Sequence, residues 1–211
     1  MRNELGHQGA SEGEQAQPME RTYYRDLEAA ACSDIERRFG PHISSERLRA
    51  LKEVPTIFAN NEEFQRLHRE ATGRNPEDGM LGFSSSIDAP SVVLVEGNGD
   101  VPDTLYHELV HRVTPPEIIH SMPRSLLEGI TELRANQAVG HAPEQSIYDR
   151  EVRAVRLLEQ GAGEETVNKA LLEGNFHEVK AAMDREIAKN EAATEWRERL
   201  REDLNEDRKS S

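Results

Sequence analysis

Two pairs of side chains, each spaced four residues apart, constrain the folds open to this protein. His107 and His111 form the first pair, within the pentad His-Glu-Leu-Val-His, and Glu128 and Glu132 form the second. Residues with this spacing lie on the same face of an α-helix, about one turn from each other. The sequence therefore predicts two helices, and their polar faces have to meet if the four side chains act together.

The histidine pair has the spacing of a metal-binding helix. One helical turn brings the imidazoles of His107 and His111 to a single ion, each at roughly 2.0–2.1 Å if the metal is zinc. Glu108 then faces the water on the metal and can act as its general base. Segment 104–113 contains no Pro or Gly, and Asp103 is the predicted N-cap of the helix. A surface helix whose histidines serve no site is the alternative interpretation.

A second helix, predicted over residues 123–139, supplies the next candidate ligand. A catalytic zinc ion takes three protein ligands and keeps one position open, so Glu128 is predicted to complete the set for one zinc ion per molecule. Glu132 is predicted to accept the second N–H of a ligand histidine and to fix its tautomer. Gly129 removes a side chain where a helix or a substrate approaches closely. A solvated acidic face is the alternative, but the helix also has a predicted buried side: Leu126, Leu127, Ile130, Leu133 and Ala138.

Together the two motifs resemble the gluzincin metallopeptidases, and the small bacterial and archaeal members most. HELVH at 107–111 and LLEGITEL at 126–133 are similar to the HExxH helix and the glutamate helix of that group. The resemblance covers about residues 54–180. It implies a zinc-dependent hydrolase of peptide bonds with a polypeptide substrate, in which Glu108 activates zinc-bound water. It implies metal ligation by His107, His111 and Glu128, with Glu132 in a supporting position where the family often has Asp.

The resemblance also implies a donor to the oxyanion that develops during peptide hydrolysis. Family members use a Tyr or His that follows the glutamate helix, and Tyr148 is the first candidate here, with His120 and His141 as alternatives. In the family, the strand before the HExxH helix forms the upper edge of the cleft. Segment 91–97 is therefore expected to present an open edge to an extended peptide.

Two other functions fit the same motifs. The first is a metal-stabilised interaction module without catalytic turnover. Glu108 argues against it, because a structural site needs no base and structural zinc usually has four protein ligands. The second is a toxin or effector protease that cleaves a single partner protein.

Composition narrows the class of partner. The protein has 26 basic and 40 acidic residues and a net charge of −14, which argues against binding to nucleic acid or to an anionic membrane. No apolar run approaches the ~20 residues of a transmembrane helix. The first twenty residues lack the apolar core of a signal peptide.

Cys32 is the only cysteine, which excludes an intrachain disulfide, and it is predicted to be buried and inert. These features predict a cytoplasmic protein, although export without an N-terminal signal is compatible with them.

The pattern of apolar residues predicts an α+β fold. Residues 1–21 read as a disordered tail, and residues 22–211 as one metallopeptidase-like domain. In that domain a small mixed sheet packs against the HExxH helix and the glutamate helix, and a helical subdomain follows. The predicted parts are the sheet with the active-site helix (54–113), the glutamate helix (123–139) and the helical tail (144–207). The predicted strands are 54–59, 80–83 and 91–97, and the predicted helices before the active-site helix are 22–40, 45–51 and 61–73.

Overall fold

The computed structural model describes residues 18–85, 91–97, 101–140 and 148–189. Within these ranges the protein is mostly helical around a small mixed sheet, which confirms the α+β class in outline. The elements in chain order are α1 (Pro18–Phe39), a 3-10 turn (Gly40–His42), α2 (Ser45–Glu53), β1 (Ile57–Ala59), α3 (Asn61–Thr72), β2 (Gly82–Ser85), β3 (Ser91–Val95), α4 (Val101–Val113), α5 (Pro116–Ser121), α6 (Arg124–Val139), α7 (Asp149–Ala162), α8 (Glu164–Glu173) and α9 (Phe176–Lys189).

The three strands form a sheet in the order β1-β3-β2, with β3 in the centre. β1 runs parallel to β3, and β2 runs antiparallel to it, with Phe83 opposite Val93. The expectation that segment 91–97 presents an open edge is wrong, because β3 is paired on both sides. Its composition explains the central position, since its side chains are apolar on both faces. The edge strand that packs beside α4 is β2.

Two clusters of buried side chains lie on opposite faces of the sheet. Val92 and Leu94 of β3 belong to the larger cluster, which also contains apolar residues of α1, α4, α6, α7 and α8. Val93 and Val95 belong to the smaller cluster, where they pack with Phe64 of α3 and with Ala59 and Phe83. Helix α4 is buried along nearly its whole length, so its polar residues are held in fixed surroundings.

Several boundaries differ from the sequence prediction. Helix α1 begins at Pro18 rather than at residue 22, and β2 covers 82–85 rather than 80–83. Helix α4 begins at Val101, so Asp103 is a first-turn residue and not the N-cap. Its carboxylate there still interacts favourably with the N-terminal end of the helix dipole. The short helix α5 is not among the predicted elements; it begins at Pro116, where proline is compatible with a first helical turn.

The described residues include only part of the segments for which the sequence predicts a disordered N-terminal tail and a helical C-terminal tail. Helices α7, α8 and α9 account for the predicted helical tail as far as Lys189. Residues 1–17, 141–147 and 190–211 lie outside the described residues, and so does most of the predicted disordered tail. Cys32 is buried, as predicted, and its thiol donates a hydrogen bond of 3.4 Å to the Leu51 carbonyl. Over the described ranges, no helix is both long enough and apolar enough to cross a membrane.

Candidate metal centre

Helices α4 and α6 pack side by side, and their polar faces meet as the spacing requires. The Nε2 atoms of His107 and His111 lie 3.1 Å apart, and the Oε2 atom of Glu128 lies 3.2 Å from each of them. Tetrahedral zinc with ligands at roughly 2.0–2.1 Å requires about 3.3–3.4 Å between ligand atoms. The three atoms therefore already have nearly the spacing that one zinc ion needs.

The orientation of the His107 ring is set by Glu132. The Nδ1 atom of His107 lies 2.7 Å from Oε2 of Glu132, one turn of α6 beyond Glu128. A carboxylate only accepts hydrogen bonds, so the proton of a neutral His107 belongs on Nδ1. The Nε2 lone pair then points toward His111 and Glu128, in the tautomer that can bind a metal.

Burial and neighbouring charges shift the pKa values of His107 and Glu128. Burial opposes a positive charge on His107, but its hydrogen bonds to Glu128 and Glu132 outweigh burial and raise its pKa to about 10. Burial acts against the charged form of Glu128 as well, yet hydrogen bonds from His107 and His111 hold the pKa of that carboxyl far below its usual range. The carboxylates thus favour positive charge at the centre of the group, which a divalent cation provides.

Glu108 lies beside this group and is itself buried. Burial raises the pKa of its carboxyl, and the charge of Glu128 acts in the same direction. The nearby His107 and His111 lower that pKa, as does a hydrogen bond from the main chain of Ser84 in β2. The sequence predicts Glu108 as a base and not as a ligand. In the structure, the group whose donor atoms lie close enough for one ion is His107, His111 and Glu128.

Tyr148 is the candidate oxyanion donor that the structure brings to the site. It immediately precedes α7, and its ring stacks on His107 with centroids 5.5 Å apart and an interplanar angle of 13°. Burial raises the pKa of its hydroxyl, and the charge of Glu128 raises it further, so the phenol keeps its proton at neutral pH. Of the alternatives, His120 is exposed on α5, and His141 lies outside the described residues.

Gly129 explains how Tyr148 comes so close. A Cβ atom at Gly129 would lie 2.9 Å from both the carbonyl carbon and the carbonyl oxygen of Glu151, which real Cβ atoms essentially never do. The backbone of α7 therefore packs directly against α6, three residues after Tyr148. The sequence predicts a close approach at Gly129, and the structure identifies the approaching element as α7.

The contribution of β2 to the site is absent from the sequence prediction. A Cβ atom at Gly82 would lie 2.7 Å from Cγ2 of Thr104 and 3.0 Å from Cγ of Glu108, so β2 approaches α4 closely at this point. A glycine inside a strand is a known sign of such an approach, and Gly82 provides that signal. The hydrogen bond from Ser84 gives no signal, because a backbone N–H is common to every residue except proline.

Arg124 lies at the rim of the group. The Nε atom of Arg124, the first residue of α6, is 3.8 Å from Oε1 of Glu128, and its side chain is 70% exposed. An ion pair this exposed contributes little energy. Oε1 is also not the Glu128 oxygen that faces the histidines, so Arg124 leaves Oε2 free to contact them.

The protein matches no protein-family model, no curated protein and no solved structure. The site itself combines three donor atoms close enough together for one ion, the buried carboxylate of Glu108 on α4, and the Tyr148 phenol stacked on the His107 ring.

Proposed function

We propose that this protein is a zinc-dependent peptidase in which Glu108 acts as the general base. The observation that carries the proposal is the triangle of donor atoms from His107, His111 and Glu128, with edges of 3.1–3.2 Å, next to a buried carboxylate that is not part of it. Structural zinc is normally held by four protein ligands, whereas a three-ligand set with an adjacent base is typical of hydrolytic sites. The likeness of both motifs to gluzincins supports a polypeptide substrate.

Each residue has a separate task in this proposal. His107, His111 and Glu128 would hold the ion, and Glu132 would keep His107 in the ligating tautomer through the 2.7 Å contact at Nδ1. A zinc ion bound there would lower the pKa of a coordinated water to about 7 and polarise the carbonyl of the scissile bond. All four side chains are less than about one-sixth exposed, which keeps water from competing for these contacts.

Glu108 and Tyr148 would perform the proton transfer and charge stabilisation. Glu108 accepts the proton of the attacking water and returns it to the amine of the leaving group. Burial raises its pKa above that of an exposed glutamate, which brings its basicity closer to neutral pH. Tyr148 remains a phenol at that pH because its own pKa is raised, so its O–H can donate to the developing oxyanion.

Glu108→Gln tests the proposal directly. The substitution keeps the shape of the side chain and removes the proton acceptor, so cleavage of a mixed peptide library should fall by roughly 10²–10⁴-fold. Zinc content and thermal stability should stay at the wild-type level, because Glu108 is not a ligand. Glu63→Gln, at an exposed glutamate of α3, is the matched control and should cleave like the wild type.

Other outcomes would decide against the proposal in distinct ways. Loss of zinc in Glu108→Gln would mean that this residue is a ligand. Stoichiometric zinc in both proteins without cleavage by the wild type would favour the interaction module. Less than about a tenth of an equivalent of zinc in wild type refolded with zinc would remove the metal site itself.

A further inference from the structure

Strand β2 directs its backbone groups alternately toward β3 and away from it. The N–H of Val95 donates to the carbonyl of Leu81 at 2.9 Å, and the antiparallel register pairs Phe83 with Val93 and Ser84 with Val92. Hydrogen-bonded and non-hydrogen-bonded pairs alternate along an antiparallel ladder. Residues 81, 83 and 85 therefore face β3, and the N–H and C=O groups of Gly82 and Ser84 point to the outer edge of the sheet.

The side chain of Glu108 reaches β2 at two residues, Gly82 and Ser84. The main-chain N–H of Ser84 donates a hydrogen bond to the Glu108 carboxylate. A Cβ at Gly82, two residues earlier, would lie 2.7 Å from Cγ2 of Thr104 and 3.0 Å from Cγ of Glu108, so the side-chain face of β2 packs directly on α4 there. This close approach brings Glu108 within reach of the outward-directed N–H of Ser84.

We infer that Ser84 is a positioning residue whose backbone N–H orients the Glu108 carboxylate for proton transfer. The donor belongs to a strand that is paired with β3 on its other side, so it moves much less than a side-chain donor would. Fixing one carboxylate oxygen restricts rotation of the whole group. A displacement of about 1 Å in a reacting group can cost roughly 10²-fold in rate. The catalytic meaning of this contact rests on the proposed function; the hydrogen bond itself does not.

Ser84→Pro removes the donor selectively. The N–H of Ser84 faces away from β3, so proline there leaves the ladder bonds of β2 in place, as prolines at strand edges do. We expect kcat to fall by roughly 10–100-fold, with KM and zinc content unchanged. Ser84→Ala is the matched control, because it removes the hydroxyl and keeps the N–H. Its kcat should lie within about twofold of the wild-type value. Equal activity of the Pro and Ala variants, both folded and zinc-loaded, would overturn the inference.

Amide hydrogen exchange tests the same contact without an activity measurement and without changing β2. In the wild type the Ser84 amide should be protected although it faces away from β3, and in Glu108→Ala it should exchange at least about tenfold faster. The Phe83 amide, which faces β3, should keep its rate in both proteins and serves as the internal control. An unchanged Ser84 rate in Glu108→Ala would contradict the hydrogen bond even if Ser84→Pro failed to fold.

The two experiments separate this inference from the proposed function. Ser84 protection that depends on Glu108, in a protein that cleaves no peptide, would support the contact and reject the peptidase. Peptide cleavage with no difference between Ser84→Pro and Ser84→Ala would support the peptidase and reject the positioning role.

Discussion

At the scale of single residues, the contact of Glu132 with His107 gives a direct prediction. Its Oε2 atom lies 2.7 Å from Nδ1 of His107, so Glu132→Ala should weaken zinc affinity by roughly 10–100-fold without preventing folding. Competition with a chelating dye measures the affinity. Glu70→Ala, which removes an exposed partner of Arg66, is the control and should bind zinc like the wild type. Equal affinity in both variants would leave Glu132 without a supporting role.

The residues that can be found in the sequence are those whose side chains act in a regular spacing. The spacing of His107 and His111, and of Glu128 and Glu132, anticipates the groups that the structure brings together. Ser84 cannot be found in this way, because it contributes a backbone group and its partner Glu108 is distant in the sequence. Tyr148 follows from the resemblance to a family, and no local pattern distinguishes it from the other tyrosines.

At the scale of elements, the packing of α7 on α6 places Tyr148 against His107. An alanine at Gly129 would bring its Cβ to 2.9 Å from the backbone of Glu151, so α7 has to shift. Tyr148→Phe alone should lower kcat by roughly 10²–10³-fold if its hydroxyl donates to the oxyanion. Gly129→Ala should also lower kcat, and in the Tyr148→Phe background it should have little further effect, because coupled residues are not additive.

Gly129→Ala, Tyr148→Phe and their combination form a double-mutant cycle. Its control is a glycine with open surroundings. At Gly40 a Cβ would meet only Cγ of Glu36, at an ordinary 3.7 Å, so Gly40→Ala should leave kcat unchanged. Zinc content is measured in every variant, since Gly129 is adjacent to Glu128. Effects of Gly129→Ala and Tyr148→Phe that multiply independently would show that α7 does not act through Tyr148.

Element types were predictable from the sequence, whereas strand order was not. The run of apolar residues in 91–97 and the apolar spacing in 123–139 correspond to β3 and α6 with small shifts at the ends. The sequence predicts the open edge at the strand nearest in sequence to α4, whereas the edge strand beside α4 is β2. Strand order depends on pairing between distant segments, and β1 joins β3 only after α3 and β2 have intervened. Local patterns contain no information about that choice.

At the scale of the whole molecule, a buried arginine connects α6 to the helices α7 and α8. Arg134 of α6 is fully buried; its Nε donates to Asn168 of α8 at 2.6 Å, and its Nη2 to Glu159 of α7. Arg134→Met leaves Glu159 and Asn168 without this partner and should reduce the free energy of unfolding by about 3–5 kcal/mol. Urea denaturation of zinc-loaded protein measures the loss.

A second substitution distinguishes an unpaired charge from lost packing. Adding Glu159→Leu to Arg134→Met removes the stranded carboxylate and should restore most of the stability, since replacing a whole buried ion pair by apolar residues is often neutral. Arg66→Met, at an exposed ion pair of α3, is the control, with an expected loss of at most about 1 kcal/mol. A loss of similar size from Arg66→Met and Arg134→Met would rule out a special role for the buried network.

The direct contact between α6 and α7 at Gly129 has a consequence for how proteins of this architecture diverge over time. The three clustered donor atoms belong to α4 and α6, whereas Tyr148 depends on a contact that a single methyl group at residue 129 would disturb. Under the proposed function, one small substitution there would lower turnover while the donor atoms stay in place. Among proteins that share this architecture, metal content would then be the more widely inherited property, and the residue at position 129 would indicate which of them still cleave peptides.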